Sequence, residues 1–185
     1  LVRQARREDG SPGLASRWLT QGAPLGAAIT LRLRAHRNFR LEDNLQRPLV
    51  LIGNGTGLAG LRSHLRARAA AGLGPNWLLF GERNAAHDRL YGDELQAWCD
   101  GGVLQRLDLA FSRDRSQGAP RAYVQDLLAQ SGDVLRQWVE QGAAIYVCGS
   151  LQGMAQGVDQ ALHAVLGEVQ MESLVRSGRY RRDVY

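Results

Sequence analysis

Lysine is absent from this chain: all 23 of its basic residues are arginine. That absence excludes a P-loop lysine, a Schiff-base nucleophile and a lysine general base. The guanidinium groups that remain are planar, permanently charged and suited to phosphate. Cysteine is scarce too. Cys99 and Cys148 have neither CxxC spacing nor a neighbouring histidine pattern, which argues against a disulfide framework and a zinc site and favours a reducing, cytoplasmic setting. No apolar run approaches the roughly 20 residues of a membrane-spanning helix. His36, His64, His87 and His163 are scattered and read as surface or capping residues, and no Ser, His and Asp constellation can be assembled from them. The opening LVRQARREDG lacks both an initiating Met and an apolar signal core, and reads as the cut edge of a longer protein.

Charge is unevenly placed. Residues 1–47 hold nine arginines against four acids, a net +5, whereas 48–185 hold fourteen of each. The basic excess lacks interleaved aromatics, which argues against nucleic acid as a partner. From Pro48 onward, short apolar runs alternate with amphipathic stretches, the pattern of a parallel sheet wrapped by helices. Strands are expected over 49–52, 76–81, 104–111 and 143–148, with a last one within 179–185. Helices are expected over 58–71, 90–100, 123–130, 133–141 and 151–166. Residues 1–47 differ: strand-like 1–5 and 28–33 lie between Gly, Ser and Pro turns, so this part reads as β-rich.

The stretch IGNGTGLAG follows the first expected strand and places Gly55, Gly57 and Gly60 at GxGxxG spacing. A helix beginning there would aim free N–H groups and its positive end at a phosphate. In a dinucleotide fold an acid after the second strand binds the ribose 2′-hydroxyl. Glu82 could hold that position about seven residues late, but Arg83 beside it weakens the case for NAD. By itself the glycine spacing leaves NAD and NADP both open.

Six blocks in order carry a family resemblance: PLVLIGNGTGLAG, NWLLFGERNAAHDRLYGDEL, LDLAFSRD, PRAYVQDLL, AAIYVCGS and RYRRDVY. Together they resemble the NADP-binding module of the ferredoxin reductase family, and within it the diflavin reductases, including sulfite reductase flavoprotein subunits and bacterial relatives. The resemblance implies an α/β fold: a doubly wound parallel sheet in 48–185, preceded in 1–47 by the end of a FAD-binding domain, a partial antiparallel β-barrel. It implies NADPH and FAD as cofactors and hydride transfer from nicotinamide C4 to flavin N5. Electrons would then pass to FMN in a flavodoxin-like domain, a haemoprotein or another acceptor. Some bacterial relatives are fused to membrane-spanning segments, so the resemblance is compatible with a parent anchored at the cytoplasmic face of the inner membrane.

Residue by residue, the resemblance assigns Gly53, Gly55, Thr56 and Gly57 to the pyrophosphate turn. Arg83, Ser112, Arg113 and Arg121 fall around the 2′-phosphate, with Tyr123 and Gln125 near adenine. Cys148 and Gly149 would lie beside nicotinamide C4 and Asp183 near Cys148, while Tyr185 would stack on the flavin and yield to the nicotinamide. GLASRWL matches a flavin motif through Gly13 and Ser16, but the preceding Arg, aromatic and Ser motif has no counterpart, so the FAD site is incomplete in this chain. Gly60 stands where the family usually has Pro. Asp88, Tyr91 and Glu94 match family positions without an evident chemical role. Two alternatives remain at this level: a free-standing NAD-dependent Rossmann dehydrogenase using Glu82, and a non-catalytic NADPH-binding or electron-partner docking module.

Overall fold

A computed structural model describes residues 2–32, 36–114 and 122–185. The chain divides into two compact units, with the boundary after His36. In the first unit, helix α1 (Leu14–Arg17) runs directly into a wider turn, Trp18–Gly22. The β-rich expectation is not met among its described residues: apart from one antiparallel bridge, Arg6 to Pro12, they hold no strand. Alternation makes a strand only where a partner supplies the ladder, and none of these residues is buried.

The second unit is a five-stranded parallel sheet in the order β3-β2-β1-β4-β5. Its strands are β1 (Leu49–Asn54), β2 (Asn76–Glu82), β3 (Arg106–Phe111), β4 (Ala144–Gly149) and β5 (Tyr180–Val184). Helices α2 (Leu58–Ala70), α3 (Gly92–Asp100), α4 (Val124–Gln130), α5 (Gly132–Glu140), α6 (Gln156–Leu166) and α7 (Glu168–Arg176) connect them. Strands buried on both faces must be apolar on both, and β1 alternates accordingly. Val50 and Ile52 join Trp77, Leu79, Ile145 and Val147 in one core beneath α4 to α7. Leu49 and Leu51 join Leu78, Phe80 and Tyr146 in the other, beneath α2 and α3. No described helix is long and apolar enough to cross a membrane.

The second core extends back into residues 37–47. Phe39, Leu41 and Asn44 are buried, and the Tyr146 hydroxyl donates to the Arg40 carbonyl at 2.9 Å while accepting from Asn44 Nδ2 at 3.0 Å. His64 is 8% exposed and wedged between the Phe39 and Tyr146 rings at 5.1 and 4.9 Å, which corrects its surface reading. Arg68 is wholly buried: its guanidinium reaches Asn76 Oδ1 at 2.5 Å, the Pro75 carbonyl at 3.3 Å and the Leu45 carbonyl. This staples the 37–47 segment to α2 and β2, so the compact unit starts eleven residues before Pro48.

Candidate dinucleotide-binding site

Parallel strands send all their carboxyl ends to one edge, and the crevice there opens where strand order reverses. In this sheet the reversal falls between β1 and β4. The chain leaves β1 at Asn54, makes a single tight turn over Gly55–Gly57 and enters α2 at Leu58. Gly55 has φ +56°, the left-handed region that glycine adopts without a Cβ penalty. Gly53 and Gly57 answer a different demand. A methyl on either would collide with the Cys148 carbonyl oxygen, and one on Gly57 would also lie 2.8 Å from Gly149 Cα. The turn is therefore packed directly on the end of β4, with the α2 N-terminus and its unpaired N–H groups at the crevice.

Gly60, which completes the GxGxxG spacing, serves the core instead. A Cβ there would sit 3.1 Å from Cys148 Sγ and 3.4 Å from Phe39. Gly149 has φ +141°, and a Cβ would strike Asn54 Oδ1. That same oxygen accepts the Ser150 N–H at 2.9 Å and ties the two strand ends together. Asn54 is a site residue that sequence reasoning missed, since an Asn after an apolar run carries no distinctive signal.

On the β4 side the register pairs Cys148 with Asp183 on β5. Cys148 is 2% exposed, and burial, reinforced by the Asp183 carboxylate, pushes its thiol up to about 12. It is a neutral thiol at physiological pH, fit to pack and to be approached, not to act as a nucleophile or base. Just past β5, the Tyr185 N–H donates to the Gly149 carbonyl at 3.1 Å and its carbonyl accepts from Leu151 at 2.9 Å. The residue is exposed, and its hydroxyl meets Thr56 Oγ1 at 2.7 Å.

The 2′-phosphate candidates gather at the ends of β2 and β3. The Ser112 N–H donates to the Glu82 carbonyl at 2.9 Å, the Ser112 hydroxyl to the same oxygen at 3.3 Å, and the Arg113 N–H to the Arg83 carbonyl at 2.8 Å. These bonds hold the two loops together and leave the Arg83 and Arg113 side chains exposed. Asp114 closes the arrangement by accepting the Ala85 N–H at 2.9 Å. Glu82 turns its carboxylate toward the glycine turn, 4.0 Å from where a Gly55 Cβ would be. Tyr123, an exposed residue, precedes α4, and Gln125 packs against Gly157 of α6. Arg121 lies outside the described residues.

The remaining matched positions have structural partners. Asp88 Oδ2 accepts the Asn84 N–H at 2.9 Å, Arg62 lies 3.9 Å over the Tyr91 ring, and Glu94 pairs with Arg62 and with Arg66, the latter at 2.7 Å. In the first unit, the Gly13 N–H is spent on the Ala5 carbonyl at 2.7 Å, and Ser16 Oγ accepts the Ala5 N–H at 3.0 Å. Both flavin-motif groups thus already have partners within the chain, and they fit a flavin pyrophosphate poorly in this arrangement. The dinucleotide side fits better, having a glycine turn, a helix N-terminus, hydroxyls and exposed guanidinium groups along one edge.

Comparison with known proteins agrees with this geometry. A family model described as an oxidoreductase NAD-binding domain matches residues 51–160. The chain is 39% identical over 184 residues to the sulfite reductase [NADPH] flavoprotein alpha-component of Vibrio cholerae serotype O1, covering 94% of this chain and 30% of that protein. It is 40% identical over 190 residues to the same component of Yersinia enterocolitica serotype O:8, covering 96% and 31%. The Salmonella typhimurium component is 40% identical over 184 residues, covering 94% and 30%. The chain thus spans about three tenths of the length of these curated relatives.

Proposed function

Because the chain belongs to the oxidoreductase NAD-binding domain family, we propose that it is the NADPH-binding part of a flavoprotein reductase and presents the nicotinamide for hydride transfer. The observation that carries this reading is the packing of the Gly55–Gly57 turn on the end of β4. It brings a phosphate cradle against Cys148 and Gly149, the two residues assigned to the nicotinamide end. A flavin, when bound, accepts the hydride at N5 and passes electrons on singly. The chain's own part is alignment and exclusion of water. Thr56 and the turn amides seat the pyrophosphate; Gly149 lets the ring approach the backbone, and Cys148 with Asp183 lines that approach. At the other end Arg83, Ser112 and Arg113, with Arg121, receive the 2′-phosphate through charge-assisted hydrogen bonds, and Tyr123 stacks on adenine.

The flavin-motif groups Gly13 and Ser16 are engaged within the chain. Flavin contacts therefore come mainly from elsewhere in a longer protein, with residues 1–36 as the end of that FAD-binding domain and 37–185 as the NADP-binding domain. A flavodoxin-like domain carrying FMN, or a haemoprotein, is the acceptor this reading expects, in a cytoplasmic setting.

One observation favours a second reading. Glu82 ends β2 with its carboxylate toward the glycine turn, where an NAD ribose would be bound. Calorimetric titration with NADPH and NADH separates the two. NADPH should bind at least about 10-fold more tightly, since a 2′-phosphate gains charge-assisted bonds, and Arg113→Ala should remove most of that preference. Equal affinities untouched by Arg113→Ala but lost in Glu82→Gln would establish the NAD reading instead.

A further inference from the structure

β2 and β3 stop pairing at Glu82 and Phe111, and two backbone bonds carry the pairing beyond the sheet. The Ser112 N–H reaches the Glu82 carbonyl at 2.9 Å, and the Arg113 N–H reaches the Arg83 carbonyl at 2.8 Å. The chain then turns away after Arg83, and two carboxylates take the next two amide protons. Asp88 Oδ2 accepts the Asn84 N–H at 2.9 Å, while the Asp88 N–H donates to the Asn84 carbonyl at 2.9 Å, so residues 84–88 close on themselves. Asp114 Oδ2, from the loop after β3, accepts the Ala85 N–H at 2.9 Å and so ties that closed unit to the end of β3. Arg83 and Arg113 stand exposed on either side of this joint, and Asp114 is half-buried within it.

We propose that Asp114 is a positioning residue for NADP selectivity: its bond to Ala85 holds the Arg83 loop at the spacing from Arg113 at which both guanidinium groups serve one 2′-phosphate. The inference rests on the NADPH reading and deepens it. An arginine side chain loses rotamer freedom when it grips a ligand, and a fixed backbone beneath it lowers what is left to order on binding. The N–H groups of Asn84 and Ala85 are already taken by carboxylates, so at these two positions the loop offers the phosphate side chains and not peptide amides. Asp114 acts in this as an acceptor oxygen. Its negative charge beside an incoming dianion is repulsive and contributes nothing to the grip. The two properties are separable, because a carboxamide at position 114 keeps the acceptor and discards the charge.

Titration calorimetry with NADP+ and NAD+, which differ only in the 2′-phosphate, tests this on wild-type, Asp114→Ala and Asp114→Asn protein. Asp114→Ala should weaken NADP+ roughly 3- to 10-fold, the range of one lost net hydrogen bond, and leave NAD+ unchanged. Asp114→Asn should bind NADP+ at least as tightly as wild type. Because Asp114 acts through Arg83, adding Asp114→Ala to Arg83→Ala should cost NADP+ nothing further, a coupling that general loosening of the chain does not produce. Exchange of the Ala85 amide proton, faster in Asp114→Ala than in the other two proteins, reports the bond itself. NADP+ affinity unchanged or tighter in Asp114→Ala would overturn the proposal, and so would NADP+ and NAD+ weakened alike. Weaker NADP+ binding in Asp114→Asn also overturns it, and that arm decides if Asp114→Ala does not fold. If wild-type protein binds NADP+ no more tightly than NAD+, the NADPH reading falls and the Asp114 role with it; a kept preference that ignores Asp114→Ala removes the Asp114 role alone.

Discussion

His64 turns acidification into a measurable loss of stability. Buried between Phe39 and Tyr146, its Nε2 has no hydrogen-bond partner, and burial holds the ring well below the usual histidine range, at about 4 against 6.5. The folded protein therefore resists a proton that the unfolded chain accepts. Stability is fully present above about pH 6.5 and is lost as pH falls toward 4. Integrating the difference between the two values gives about 2–3 kcal/mol lost between pH 7 and pH 4.5, a large part of the 5–15 kcal/mol typical of a domain. Urea unfolding followed by circular dichroism should show the midpoint falling by roughly 1–2 M over that range. In His64→Leu the titrating group is gone, and the part of the slope due to this residue should vanish. Identical slopes in the two proteins would show that the ring is hydrated or partnered in solution and refute the reasoning.

Two further substitutions probe the framework. Gly57→Ala forces a methyl into the Cys148 carbonyl. It should cost on the order of 2 kcal/mol or more, read by urea unfolding, and weaken NADP+ well beyond Gly60→Ala, whose nearest contact is the Cys148 thiol at 3.1 Å. Arg68→Leu keeps an apolar stem but removes the donor to Asn76 Oδ1 and to the Leu45 carbonyl, while the Pro75 carbonyl keeps the Leu49 N–H. A loss of about 3 kcal/mol is expected, together with faster amide exchange at Leu45 and its neighbours.

The sheet was legible because β1, β2 and β4 are apolar on both faces and leave continuous runs that turn signals bound. β3 was harder. Leu104 is buried but lies outside the ladder, its N–H bonded to the Trp98 carbonyl, and the strand begins at Arg106. Helix α7 escaped notice because Gly167, at φ +77°, ends α6 and is followed at once by another helix, with no linker to announce it. His64 and Arg68 lie on the buried face of α2, where polar residues blur the apolar stripe that periodicity seeks. At the site, the glycine turn could be read from spacing and context. The Ser112 and Arg113 assignment needed the family resemblance, since short charged loops carry no periodicity. The Thr56 to Tyr185 contact had no local signal, because it joins the two ends of the α/β unit.

Arg68 also bears on how this protein responds to ionic strength. Its acceptors are two backbone carbonyls and a side-chain amide. Screening weakens attraction between net charges, and here the charge has no counter-charge among its bonded partners, only oriented dipoles shielded from solvent. Added salt can loosen exposed pairs such as Arg66 with Glu94, but it has little hold on the Arg68 joint. A guanidinium also keeps its proton where a buried ammonium could shed it. In a chain built without lysine, the cation wholly buried among the described residues is thus the kind that neither brine nor alkali readily unfastens.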